Sequence, residues 1–319
     1  MASEDWGVAL AAPIGMAELV REHGGVSDEG VGSRFVRRLV PAEHATRADD
    51  LAVVTSVRWA AAAAASPAVI LCQSDVASRC PRGRRWVHAH AMYVVAHLMT
   101  PDATAGGIDP RARVEEGAVI DPSATIGPGA AVLSGARVGA HSVVGDGAIL
   151  YGGVRVGARV TIGPLAVIGR PGFGWATGPR GDVVRIPQRG GVVIEDDVEV
   201  GALSTVDAGT LGPTILRRGV KLDAHVHVGH NVSVGEHTYV AAQSGFAGSA
   251  RIAARVLVGG QVGVTDHAVV GQGARIAAKS GVIGDVAPGA VVAGFPAVPK
   301  ASWLRAWAKL LGGQKRRTR

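Results

Sequence analysis

Eleven histidines occur in the 319 residues, and four of them fall within thirteen positions: His225, His227, His230 and His237. Imidazole titrates nearest neutral pH of the ordinary side chains, so such a cluster points to general-base chemistry or to metal binding. His225-x-His227-x-x-His230 has the composition of a zinc site, since three imidazoles can hold that ion. Alternate residues of an extended strand share a face, so His225 and His227 project together while His230 falls beyond them. That geometry makes a metal held by all three within one chain a poor fit, though ligands shared between two subunits stay open. A single His230 facing a substrate amine would serve as a base; the plainer alternative is a solvated histidine. Two cysteines, Cys72 and Cys80, are too few for a disulfide framework or a metal quartet and fit a reducing compartment.

The elements that must position these residues are set by a repeat. An aliphatic residue recurs every sixth position from Ile108 through Val114, Ile120 and Ile126 to Ile168. After an interruption come Ile194, Val200 and Val206, and a second series runs from Leu216 to Val282, with Phe246 taking one place. Glycine often follows the aliphatic residue, as in Val138-Gly139 and Val234-Gly235, and a small residue commonly stands two places before it. Period six is not helical, and no single strand continues that long. A short strand, a tight turn and an inward aliphatic residue, repeated three times per coil, solve it: a left-handed parallel β-helix of eighteen-residue coils. Glycine is expected to relieve the unusual backbone at each corner. In this register His230 sits near a corner, outside the prism. His267 lies 37 positions further, two coils and one place, hence on much the same side and about 10 Å along the axis. Such a rod is expected to have no cleft of its own, so neighbouring rods would supply the second wall in a homo-oligomer, most simply a homotrimer.

The flanks lack the repeat. Residues 1–105 mix apolar runs (Leu51–Val57, Ala68–Cys72) with helix-like stretches (Trp59–Ser66, His90–Leu98) and read as an α/β domain. The rod occupies 106–295. In 296–319, apolar residues at Trp303, Leu304, Trp307, Leu310 and Leu311 give an amphipathic helix over Lys300–Leu311, stopped by Gly312-Gly313. One long interruption, Arg170 to Gly191, leaves the rod as an aromatic-bearing loop. Composition agrees: 46 glycines and 4% aromatics within a chain 47% hydrophobic suit thin stacked β-structure and exclude general disorder.

The formal charge of +7 is local. Seven of the 33 basic residues lie in Lys300–Arg319, leaving 26 against 26 acidic ones in the body. A nucleic-acid protein spreads basic residues over a face, so no nucleic-acid partner is expected. Met1 to Asp5 carries acids where a signal peptide wants bases, and the alanine-rich run Trp59–Leu71 is too short to span a bilayer. A cytoplasmic protein without a transmembrane segment is expected.

Several stretches, in order, resemble the UDP-3-O-(3-hydroxyacyl)glucosamine N-acyltransferases of lipid A biosynthesis. They are Gly172-Phe173-Gly174-Trp175-Ala176, Arg185-Ile186-Pro187-Gln188, Ser204-Thr205-Val206-Asp207-Ala208-Gly209, Leu222-Asp223, Gly229-His230-Asn231-Val232-Ser233-Val234-Gly235, Ala247-Gly248-Ser249 and Gly294-Phe295-Pro296. The resemblance covers about residues 100 to 305 closely. It implies transfer of a 3-hydroxyacyl group from acyl carrier protein to the 2-amine of a UDP-linked, 3-O-acylated glucosamine, within lipopolysaccharide synthesis. No cofactor is implied beyond the carrier's phosphopantetheine thioester, and no metal. By motif position His230 is the general base, Asp223 orients it or holds substrate, and Gly248 supplies the N–H that steadies the oxyanion. His267 and Asn231 contact substrate, and Phe173 and Trp175 cover the pantetheine or acyl chain. The basic Trp-bearing helix and tail (Arg305, Lys309, Lys315 to Arg319) suit an acidic carrier protein.

The sequence also departs from the family. Where uridine is gripped by Phe-x-x-Asn-x-x-Tyr, this chain has Val53, Ser56 and Trp59; Trp59 can stack on a base, but Ser56 lacks an amide's paired donor and acceptor. Asn-Pro is replaced by His88-Ala89, an acidic residue by Pro171, and a glutamine by His227. Three alternatives therefore stand beside the N-acyltransferase: a divergent enzyme for another nucleotide-linked amino sugar, a zinc hydratase like the hexapeptide carbonic anhydrases, and a non-catalytic scaffold.

Overall fold

A computed structural model describes residues 7–100 and 106–314, and the chain divides into two compact units, Met1–Thr104 and Ala105–Arg319. The readings made above for Met1 to Asp5 and for Lys315 to Arg319 lie outside the described residues.

In the first unit, the apolar runs form strands Asp50–Val54 and Val69–Gln73, and the helix-like stretches form helices Ala60–Ala65 and Ala91–Met99. Phe35–Pro41, Asp50–Val54, Val69–Gln73 and Arg85–His88 run parallel at the centre of a six-stranded sheet. Val8–Gly15 and Val26–Ser27 close its edges antiparallel. Met16, Leu19, Leu51, Leu71, Trp86 and Val94 fill one side of it. Beneath the sheet, buried Arg38 donates to both carboxylate oxygens of Asp50 at 2.8 and 3.1 Å, and Asp50 also accepts from the Thr46 and Arg47 N–H groups. A buried charge is tolerated only with such saturation.

In the second unit the period of six becomes three parallel sheets, in which each residue pairs with one a coil away: Thr125 with Val143, Ala131 with Ile149, Arg137 with Arg155. We call these the first, second and third faces of the rod. The inward aliphatic residues form one continuous core, from Ile126 to Val292. The small residues two places earlier also point inward, as period-two geometry requires. Where they are hydroxylic they bridge coils: the Ser204 hydroxyl donates to Asp223 O at 2.9 Å and accepts from Val226 N–H at 3.0 Å, and Ser142 and Ser244 repeat the device.

The role expected for glycine holds in part. The left-handed corner residue is the third after the aliphatic one; it is glycine in coils such as those of Gly117, Gly129, Gly135 and Gly219, but fourteen non-glycine residues, among them His225, Asn231 and His267, hold φ between 53° and 65° there. The glycine directly after the aliphatic residue serves close approach instead. A Cβ on Gly139 would stand 2.5 Å from Gly157 O, and one on Gly235 2.4 Å from the Ala253 carbonyl carbon.

The C-terminal helix runs Lys300–Gln314, through Gly312-Gly313 rather than ending before them. Glycine weakens a helix by about 1 kcal/mol per residue but, keeping its N–H, does not break it. Trp303 packs on Gly294 and meets Trp307 edge-on at 5.9 Å, while Leu304, Trp307 and Leu310 remain exposed. Among the described residues no helix is long and apolar enough to cross a membrane.

Candidate active site

On the second face, Thr205, His227, Gly245, Gly263 and Gly281 stack in register on successive coils and point outward, while Val206, Val228, Phe246, Val264 and Val282 point into the core. Glycines at 245 and 263 leave the face bare there. The loop after Pro171, and the Phe295 ring packed on Gly281, bound a groove of about 570 Å³. The rod therefore has a cleft within a single chain, contrary to the expectation from the repeat, because non-repetitive segments supply its walls. A larger groove, about 790 Å³, lies on the first face around Lys221, Asp223, Tyr239 and Arg275, but no histidine lines it.

The chemistry converges on the corner Gly229-His230-Asn231. Asn231 holds φ +61°, a conformation asparagine tolerates better than most residues. Its backbone N–H donates to Thr214 Oγ1 at 2.9 Å. Its side-chain Oδ1 accepts from the Thr210 N–H at 3.2 Å, and Nδ2 donates to Gly212 O at 3.3 Å. A backbone N–H can only donate, so these bonds fix which end of the amide is oxygen. His230 Nδ1, 3.0 Å from that oxygen, must then carry the proton. Nε2 is left as a lone-pair acceptor. It faces Gly248, where a Cβ would stand 2.6 Å from it, and the Gly248 N–H has no partner among the described residues. On the other side Gly172 packs against the His230 Cβ.

The remaining expected residues divide. His267 is on the same corner two coils on: Ser249 N–H donates to His230 O, and His267 N–H to Gly248 O, with the His267 ring exposed. Phe173, 80% exposed, overhangs the groove and meets Trp175 edge-on at 6.5 Å. Trp175 is outside the groove lining, in a hairpin of Trp175–Thr177 with Val183–Arg185, its ring 5.7 Å from the Arg185 guanidinium. Asp223 does not orient His230 within one chain. It sits at the corner between the first and second faces, where its Oδ1 accepts from the adjacent Ala224 N–H at 2.7 Å. Asn231 supports the imidazole, its oxygen held by Thr210 and its Nδ2 by Gly212 O.

His225 is exposed at the same corner as Asp223, so the three closely spaced histidines are not brought together. No group of three His, Cys, Asp or Glu side chains suited to a metal occurs among the described residues. In the first unit, Ser56 caps a short helical turn by accepting from Arg58 N–H at 3.4 Å, and the Arg58 guanidinium lies 4.7 Å over the Trp59 ring. Both groups expected at a nucleotide are thus engaged locally. Both ring nitrogens of His88 are used as well, with His23 O and the His90 N–H.

Sequence reasoning passed over Asp207. It is 1% exposed beside the groove, within reach of Arg170, whose Nη2 donates to Oδ2 at 3.3 Å. Arg170 Nε comes within 3.0 Å of Oδ1 but without hydrogen-bond alignment, and Oδ1 has no aligned donor. Burial pushes the Asp207 carboxyl above its ordinary range; Arg170, His227 and His230 pull the other way.

No family model matches the chain. A UDP-3-O-acylglucosamine N-acyltransferase of Methylobacterium nodulans is 46% identical over 140 residues, 44% of this chain and 40% of that protein. The same-named proteins of a Caulobacter strain and of Campylobacter lari are 45% and 40% identical over 150 and 145 residues, covering 44% and 46% of their own lengths. The chain thus spans less than half the length of the curated relatives it matches. Among solved structures, the UDP-N-acetylglucosamine acyltransferase from Campylobacter jejuni superposes with a TM-score of 0.55 at 25% identity, over 61% of this chain and 74% of that one. The motifs, the coil geometry and these alignments agree that this chain is similar to the UDP-3-O-acylglucosamine N-acyltransferases in sequence and to a UDP-N-acetylglucosamine acyltransferase in fold.

Proposed function

We propose that this chain is an N-acyltransferase that moves a 3-hydroxyacyl group from an acyl carrier protein thioester to the 2-amine of UDP-3-O-acylglucosamine, in cytoplasmic lipid A synthesis. The observation that carries the reading is the setting of His230: Nδ1 is tied to the Asn231 oxygen, so Nε2 is the nitrogen turned to the groove, over an N–H with no partner among the described residues. The acceptor nitrogen forms a bond to the thioester carbon as Nε2 removes its proton. The charge developing on the carbonyl oxygen is met by the Gly248 N–H. The C–S bond then breaks, and the imidazolium returns the proton to the departing thiolate. Base catalysis and a positioned N–H each supply a recognised share of such a barrier. Glycines at 245 and 263 leave room for an extended acyl chain beside the rod.

Assembly as a homotrimer is supported by apolar residues left open on one chain: Tyr239 and Leu257 on the first face, Leu165 and Leu203 at its corner. In a trimer, Asp223 would face a neighbour's groove and hold substrate there. Docking of an acidic carrier protein is supported by Lys300, Arg305 and Lys309 on a helix whose Leu304, Trp307 and Leu310 are exposed.

The deciding experiment offers 3-hydroxyacyl carrier protein with acylated UDP-glucosamine, with the unacylated form and with other UDP-amino sugars, and reads products by mass spectrometry. An N-acylated product from the first alone supports the reading; product only from another sugar overturns it. His230→Ala should lower amide formation at least about a hundredfold. Near-normal turnover in that variant would remove the base.

A further inference from the structure

Beneath the imidazoles of the groove lies a charged cluster that the reaction as written does not use. Asp207 is on the strand Thr205–Ala208, and its register partner on the strand below is Arg170. On the strand above, His227 pairs in register with Thr205, and its Nδ1 lies 2.7 Å from Thr205 Oγ1. That contact aims His227 Nε2 at Asp207, 3.9 Å from Oδ2. His230 stands at the following corner and lines the same groove. The charged or titratable groups facing Asp207 are therefore Arg170 from below, His227 from above and His230 at the corner. Asp207 is 1% exposed, whereas the side chains of Arg170 and His227 are 39% and 44% exposed.

We propose that Asp207 is a positioning residue for His230: a buried carboxylate, clamped by Arg170 and capped by His227, whose charge sets how firmly the base holds its proton. The reasoning is electrostatic. A buried charge acts through a medium far less screening than water, so its effect on a neighbouring imidazole survives at distances where a surface charge would be lost. The negative carboxylate favours the protonated imidazole, and Arg170 opposes it. The direction of the pull on Asp207 itself agrees, since His230 and His227 both lower a carboxyl that burial raises. The inference rests on His230 being the base of the proposed transfer, but its first test does not.

Full-length protein labelled at histidine nitrogens is titrated by NMR, with the His230 signal identified by its loss in His230→Gln. Asp207→Asn should move the His230 midpoint down by about one pH unit. A purely structural role would give no such shift. In the amide-forming assay the acidic limb of kcat/KM should move in the same direction. A wild-type midpoint in folded Asp207→Asn overturns the proposal. If the wild-type enzyme forms no amide at all, the functional reading fails, while the NMR titration still decides the role of Asp207.

Discussion

Replacing Gly248 by alanine tests the site with the smallest possible change. Gly248 is outside the left-handed region, so its backbone accepts alanine, and the N–H proposed for the oxyanion is retained. The added Cβ would stand 2.6 Å from His230 Nε2, 2.7 Å from Cε1 and 3.1 Å from Cδ2. Restoring an ordinary contact of 3.4 Å moves the ring by the difference, 0.8 Å. The ring cannot yield freely, because Asn231 holds Nδ1 and Gly172 abuts the Cβ. A misplacement of about 1 Å at a reacting centre costs on the order of a hundredfold in rate. That corresponds to about 2.7 kcal/mol of barrier. Overpacking costs about 1–3 kcal/mol of stability, which a solenoid with this core withstands. Gly248→Ala should thus be folded by circular dichroism, with turnover down about a hundredfold and most of the loss in kcat. Turnover within about threefold of wild type would refute the placement of Nε2 over Gly248.

Asn231→Ala should lower turnover at least about tenfold, by freeing the His230 tautomer, and lower stability by about 1–2 kcal/mol for the left-handed backbone. Asn231→Gly should recover that stability without the turnover, as thermal unfolding and rate assays would show. Asp28 is hydrogen-bonded by Arg85 and held down to about 2 from 3.8. A carboxyl depressed in the folded state contributes stability that is present above its unfolded value and lost as pH falls through the folded one. Asp28→Asn should therefore cost about 2 kcal/mol in urea unfolding at neutral pH, with the gap closing from about pH 4 to about pH 2. An unchanged gap at low pH would contradict the pairing. Burial, with a smaller contribution from neighbouring Cys80, pushes the Cys72 thiol up to about 12, and both cysteines are buried. Neither should react with a disulfide reagent at pH 8 until the protein is unfolded; rapid labelling of folded protein would show the pair to be accessible.

The sequence alone determined the rod, because a period of six dictates which residue meets which: any two positions eighteen apart become neighbours once the coil closes. That rule placed Val228, Phe246 and Val264 in one column and put His230 and His267 on one corner. Two strands and two helices of the first unit were also legible, since their apolar runs are long enough to declare themselves. What the period could not reach was decided by tertiary structure. The loops at 171–191 and 208–213 follow no repeat, so nothing local says that Gly172 will lie on His230 or that Thr210 will fix the Asn231 amide. Asp223 looks close to His230 along the chain, yet seven residues turn one corner of the prism and carry it to another edge. Asp207 looks remote, yet the stacking of coils brings it beneath the imidazoles. Periodicity specifies contacts between repeats; the proton on His230 depends on contacts that break the repeat, and those exist only after the chain has closed around them.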